Sequence, residues 1–180
     1  AKRKAAVATL EQRVVGELVD LSMAHARFEV AFAPLEKDER IKRLIAAGYD
    51  RVEFLIAPNP GESLKPLSKI ASGGEISRAM LAFKTILSGD DAVPTLIFDE
   101  VDAGIGGRTA DTVGDKLKVI SEKHQVICVT HLAQVTGYAA HHFHISKKVA
   151  DGRTFTSVKR LNDTERVEEI ARMLGGKEET

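Results

Sequence analysis

Two short apolar runs constrain the fold more than any other feature of this chain. One is PTLIFDE, Pro94 to Glu100; the other is QVICVT, Gln125 to Thr130. Both are continuous rather than alternating, which predicts strands buried on both faces. Arg108 to Lys123, between them, carries a helical pattern. Strand, helix and strand in this order predict a parallel βαβ unit. In open α/β sheets, ligands bind at the carboxyl edge of the strands. The residues the runs deliver to that edge are Asp99, Glu100 and, from the second run, His131.

Those residue types suit chemistry on a phosphate. An aspartate can hold Mg²⁺ through water, and a glutamate after it can take a proton from an attacking water. A histidine can donate a hydrogen bond to a phosphate oxygen. Taken singly, each also reads as the polar end of a strand at the surface. The coincidence of two strand ends favours the chemical reading. DAGIGGRTA follows the carboxylates, and Gly104, Gly106 and Gly107 allow unusual backbone angles and close approach of a ligand or another chain. On the plainer reading this is a flexible connection in which Asp102 is a turn residue.

KIASGGEISRAM, Lys69 to Met80, is a glycine-rich turn running into a helix predicted over Ser72–Leu87. Ser72 and Glu75 form an S-x-x-E capping box, and Ile76, Met80, Phe83 and Leu87 make an apolar stripe. Two glycines in the first turn weaken a helix by ~1 kcal/mol each relative to alanine. Bare backbone N–H groups that face an anion explain that weakness. No G-x-x-x-x-G-K-[ST] segment accompanies the loop.

The rest of the chain organises around these motifs. Val7, Leu10, Val14, Leu18 and Leu21 form one stripe on a helix over residues 1–25, read either as a helix packed on a domain or as the end of a coiled coil. ARFEVAF and RVEFLIA predict strands, Glu36–Ala47 a short helix stopped at Gly48, and PNPGESLKP a loop. HHFHISKKV and RTFTSVKRL flank Asp151-Gly152 as a hairpin, and Thr164–Leu174 predicts a closing helix stopped at Gly175-Gly176. The opening AKRKAAVATL lacks a methionine and is already helical in pattern, which predicts a piece of a longer protein.

Charge and composition exclude some classes. Lys plus Arg is 26 and Asp plus Glu is 26, so a strongly basic surface is absent as an average. The basic residues Lys147, Lys148, Arg153, Lys159 and Arg160 cluster in the hairpin, where a solvated face accounts for them as well as a nucleic acid does. No apolar run approaches membrane-spanning length. The single cysteine, Cys128, permits no internal disulfide and reads as an inert core residue in a reducing compartment. His141, His142 and His144 lack a carboxylate or cysteine at ligand spacing, which argues against a metal.

SGGE, LIFDE, the glycine-rich segment and VTH stand in an order and at distances that resemble the carboxyl-terminal half of an ABC-type P-loop ATPase head. Within that superfamily, VEFLIAPNPGE, KIASGGEISRAMLAFK, IFDEVDAGIGGRTA, VTHLAQV and EEIARMLGG are similar to a bacterial SMC-like family of DNA-repair ATPases. The resemblance implies an α/β fold with a parallel sheet, helices on its faces, a β-hairpin and the end of a coiled-coil helix. Residues 1–25 would be that coil and 26–180 the carboxyl-terminal lobe of the head. It also implies that two heads sandwich ATP. Ser72, Gly73, Gly74 and Glu75 are then the signature that binds ATP, with Ser72 and Gly74 on the γ-phosphate of the opposite head. Asp99 helps hold Mg²⁺, Glu100 polarises the attacking water, His131 contacts the γ-phosphate, and Asp102 belongs to the nucleotide-binding D-loop.

The family's Walker A lysine and Q-loop are not in this chain. ATP hydrolysis is therefore expected only with an amino-terminal half and a second head, as a homodimer. DNA is a partner by resemblance, a membrane is not, and the expected location is the bacterial cytoplasm, at the nucleoid. One rival is the ATPase subunit of an ABC membrane transporter, where Gln more often follows the two glycines. Another is a non-enzymatic dimerisation module, against which the paired carboxylates Asp99 and Glu100 argue.

Overall fold

The computed structural model describes residues 2–33, 50–87, 92–150 and 152–175. The helix predicted over Glu36–Ala47 and its stop at Gly48 lie outside the described residues, as do Pro34, Asp151 of the hairpin turn and Gly176. The chain divides into two units, Ala1–Asp91 and Ala92–Thr180.

The first unit opens with helix α1, Lys2–Asp20. Its predicted stripe is the buried one: Val14, Leu18 and Leu21 are fully buried. The helix ends with Ser22 in the left-handed region at φ 60°. Met23 N–H donates to Leu18 O at 2.9 Å and Ser22 N–H to Val19 O at 3.2 Å, which satisfies carbonyls of the last turn. Strands β1, Arg27–Ala33, and β2, Arg51–Ala57, pair antiparallel with Phe28 opposite Ile56 and Val30 opposite Phe54. A short β3, Lys65–Pro66, extends the sheet on the far side of β2. This leaves β1 at an edge, where the Glu11 carboxylate of α1 accepts the Val30 N–H at 2.8 Å.

Helix α2, Gly73–Leu87, packs on α1. Phe83 of this helix meets Phe28 edge-on at 5.3 Å between centroids and stacks on Phe54 at 5.4 Å. Phe28 and Phe54 lie 5.6 Å apart. This aromatic trio fixes α2 against the β1–β2 pair and so determines where the amino end of α2 stands.

In the second unit β4, Thr95–Phe98, and β5, Gln125–Cys128, are parallel neighbours with Phe98 level with Cys128. Helix α3, Gly107–Ser121, connects them and buries Ala110, Val113, Gly114, Leu117 and Ile120 on one face. The predicted βαβ unit is therefore present. Burial on both faces is not: Ile97 is 70% exposed, and Ile127 and Val129 are 46% and 49% exposed. Among the described residues these two strands form a sheet of their own, with one face open to solvent. Cys128, on the opposite face of β5, is half-buried rather than a core residue.

A short helix α4, Ala133–Gly137, precedes the hairpin. Strands β6, Phe143–Ala150, and β7, Arg153–Arg160, pair antiparallel, with Gly152 at φ 70° in the turn. Helix α5, Asp163–Gly175, closes the unit. Asn162 and Glu165 form a complete reciprocal cap, each side chain accepting the other's N–H at 3.0 Å. Lys159 of β7 holds the same Glu165 at 2.5 Å, and Arg166 donates to the carbonyls of Thr136 and Gly137 at the end of α4.

Gly114 shows why α3 carries a glycine in its interior. A β-carbon there would stand 2.4 Å from Cδ2 of Tyr138, whose hydroxyl donates to Asp111 at 2.9 Å. Gly114→Ala should therefore destabilise the protein by ~1–3 kcal/mol through overpacking, despite the gain in helix propensity. Chemical denaturation would show a lowered midpoint, and a midpoint at or above the parent's would refute this account.

Candidate functional site

At the carboxyl end of β4 the chain makes a tight turn. Glu100 sits at φ 57°, in the left-handed region, a conformation that costs a residue with a β-carbon ~1–2 kcal/mol. Such strain concentrates at functional positions. Glu100 N–H donates to Asp99 Oδ1 at 2.9 Å, and Ala103 N–H donates to Glu100 O at 3.0 Å. Both carboxylates are exposed. Val101 is fully buried and pins the turn.

The next residue is the centre of the arrangement. Asp102 is 3% exposed, and its Oδ2 accepts two hydrogen bonds and lies against an imidazole nitrogen. Thr130 Oγ1 donates at 2.5 Å, His131 N–H at 3.1 Å, and His131 Nδ1 lies at 3.2 Å. Thr130 Oγ1 in turn accepts the Leu132 N–H at 3.0 Å. The His131 ring is otherwise open, with its side chain 75% exposed. The end of β4 and the loop after β5 are thus joined, and Asp99, Glu100, Asp102 and His131 come together at one sheet edge. Asp102 is more than the turn residue of the plainer reading. Thr130 was not singled out from the sequence, because a lone threonine after an apolar run carries no pattern.

Cys128, beside this edge, has its thiol pushed up to about 12 by burial and by the nearby carboxylates Asp102 and Asp99. It stays protonated and unreactive at neutral pH, as the sequence suggested.

The glycine-rich loop lies in the first unit. Ser72 caps α2: its Oγ accepts the Glu75 N–H at 3.4 Å and its carbonyl accepts the Ile76 N–H at 3.1 Å. Only this half of the predicted capping box forms. The Glu75 carboxylate accepts instead from Asn59 Nδ2 at 3.4 Å, an amide that also holds Glu62 at 2.8 Å. Asn59 belongs to the predicted PNPGESLKP loop, and the sequence alone did not connect it to the helix. The amides of Gly73 and Gly74 belong to the first turn, whose N–H groups have no partner within a helix. Arg78, one turn further on, is buried, and burial lowers its pKa against the opposing pull of Glu75.

The histidines of the hairpin have other work. His141 Nδ1 contacts Arg160 at 2.9 Å, and His144 Nε2 stands 3.9 Å from Glu169 on α5. His142 and His144 fall on the half-buried side of the chain and His141 on the exposed side, as alternation predicts. No group of three or more His, Cys, Asp or Glu among the described residues is placed to hold a metal.

No family model matches the chain. Its fold is similar to part of the Smc head domain. The Smc head domain of Pyrococcus yayanosii matches with a TM-score of 0.59 at 20% identity, over 90% of this chain and 28% of that one. The Smc head of Pyrococcus furiosus matches at 0.54 and 21% identity, over 90% of this chain and 37% of that one. In sequence, the chain is similar over nearly its whole length to the carboxyl-terminal part of DNA repair protein RecN. Identity is 47% with RecN of Treponema pallidum over 97% of this chain, and 48% with RecN of Halalkalibacterium halodurans over 99%. With RecN of Bacillus subtilis it is 44%, over 99% of this chain. The chain spans 30% to 32% of the length of these relatives. No helix among the described residues is long and apolar enough to cross a membrane.

Burial lowers the pKa of His142, with Arg166 and His144 acting in the same direction and Glu169 opposing. The folded state therefore prefers the neutral ring. The stability this contributes is complete above the unfolded value of about 6.5 and is lost as pH falls below it. Denaturant unfolding at pH 7.5 and pH 5.5 should show a loss of stability in acid that His142→Gln reduces. An equal loss in both proteins would show that His142 is not its source.

Proposed function

We propose that this chain is the carboxyl-terminal part of the ATPase head of a RecN-like protein that acts in DNA double-strand break repair and recombination. The observation that carries the reading is the junction of two strand ends, where Asp99 and Glu100 of one meet His131 of the other through Asp102. Similarity to RecN over nearly the whole chain supports it. The repair function and DNA as a partner enter from those relatives' names alone.

The residues present fit the cofactors. The exposed carboxylate oxygens of Asp99 are hard donors suited to Mg²⁺ through water. A helix start with two glycines and exposed Ser72 suits a phosphate. When bound, Mg·ATP supplies the phosphoanhydride and the positive charge that offsets its oxygens. Asp99 would hold Mg²⁺ through water. Glu100 orients the attacking water and takes its proton. His131 donates to a γ-phosphate oxygen. Ser72, Gly73, Gly74 and Glu75 face the nucleotide of a second head, so hydrolysis needs a homodimer and the Walker A half. In this arrangement α1 is the end of a coiled coil that enters the head, and Asp102 lies in the loop between two heads. The site is cytoplasmic, at the nucleoid.

Glu100→Gln in the full-length protein should leave ATP binding intact and lower turnover by ~10²–10⁴-fold. Hydrolysis at the parent's rate would remove Glu100 from the chemistry. Ser72→Arg should abolish ATP-driven pairing of heads while each head still binds nucleotide. Light scattering that shows undiminished dimers with ATP would sink the role of the signature across the interface.

A further inference from the structure

We propose that Asp102 is a positioning residue that acts inside its own chain, holding His131 at a set place and ring orientation relative to Glu100. The inference rests on the functional reading above and changes the part assigned to Asp102 within it.

The geometry argues against contact between Asp102 and a nucleotide. The side chain is 3% exposed, and one oxygen already serves two donors and stands 3.2 Å from His131 Nδ1. A buried anion is a poor neighbour for phosphate but a strong acceptor for N–H and O–H groups. Its partners fix both the main chain of His131 and the ring, so neither is left to drift.

The protonation pattern follows. A carboxylate only accepts, so an attractive contact at 3.2 Å requires the proton of the imidazole on Nδ1. Nε2 is then the nitrogen that the exposed ring presents, a donor to a phosphate oxygen when the ring carries both protons. An exposed ring anchored at one nitrogen has lost its rotational freedom without being buried. That arrangement suits a group that must meet something from outside at a defined position.

Asp102 also belongs to the turn that shapes Glu100. Ala103 N–H closes on Glu100 O at 3.0 Å, and Ile105 N–H on Asp102 O at 3.3 Å. The main chain of Asp102 therefore follows Glu100, while its side chain holds His131. One residue sets the spacing of the two.

The test is a double-mutant cycle on steady-state ATP hydrolysis by the full-length protein, using Asp102→Asn, His131→Ala and both together. Misplacement of His131 should lower kcat of Asp102→Asn by about 100-fold with KM for ATP unchanged. In the His131→Ala background the same change should cost less than about 3-fold. Losses that multiply, or a raised KM with kcat intact, would overturn the proposal. If Asp102→Asn does not fold, Thr130→Val removes one of the two hydrogen bonds and keeps the carboxylate. It should lower kcat less than Asp102→Asn does, and the loss should again vanish with His131→Ala. A full-length parent that does not hydrolyse ATP would defeat the functional reading itself. A multiplicative cycle beside an inactive Glu100→Gln would defeat only the role of Asp102.

Discussion

The second unit depends on one buried charge. Taking a carboxylate out of water is strongly unfavourable unless hydrogen bonds replace the lost hydration. Asp102 receives two, from Thr130 and the His131 main chain, and the His131 ring stands against it at 3.2 Å. The parallel register puts Phe98 level with Cys128, so the two strand ends emerge side by side before the carboxylate joins them. Burial raises the Cys128 thiol, and the charges of Asp102 and Asp99 add to that shift. With this tie in place, Glu100 can be held in a left-handed conformation that the turn alone would not favour.

The helix starts point the same way. At α5 the cap is complete, Asn162 and Glu165 exchanging two bonds at 3.0 Å, with Lys159 added. That is how a helix start built for stability looks, and the N-x-x-E spacing was readable in the sequence although only the helix was predicted. At α2 the start has two glycines, a single long cap bond at 3.4 Å, and a glutamate turned towards Asn59. The departure from good capping falls on the segment whose function the sequence suggested. Local rules fail most informatively at such places.

Much of the fold was legible because periodicity and turn chemistry agreed. The stripe through Val14, Leu18 and Leu21 is the buried face of α1, and the Gly152 turn stands between two strands of eight residues. The edge that gathers Asp99, Glu100 and His131 followed from strand order alone. What the sequence left out was side-chain partnership. No spacing rule links Asp102 to Thr130, twenty-eight residues apart, or Asn59 to Glu75, sixteen apart. Such contacts arise only once strands and loops have taken their places.

The strands read as buried on both faces are the instructive difference. Parallel strands occur almost only in sheets covered on both sides. Here Ile97, Ile127 and Val129 stand open on one face. The hairpin repeats the pattern, with Phe143, Ile145, Val149 and Val158 all more than half exposed. Register places these four on one side of β6–β7, since Ile145 faces Val158 and the others alternate with it. Contiguous apolar surface of this kind marks a place where something else packs. On the proposed reading the cover is the rest of the head, since the chain spans only about three tenths of the relatives it matches. An apolar run records the surroundings a strand has in the whole protein. The exposure of Ile97 measures how much of those surroundings this segment does not supply.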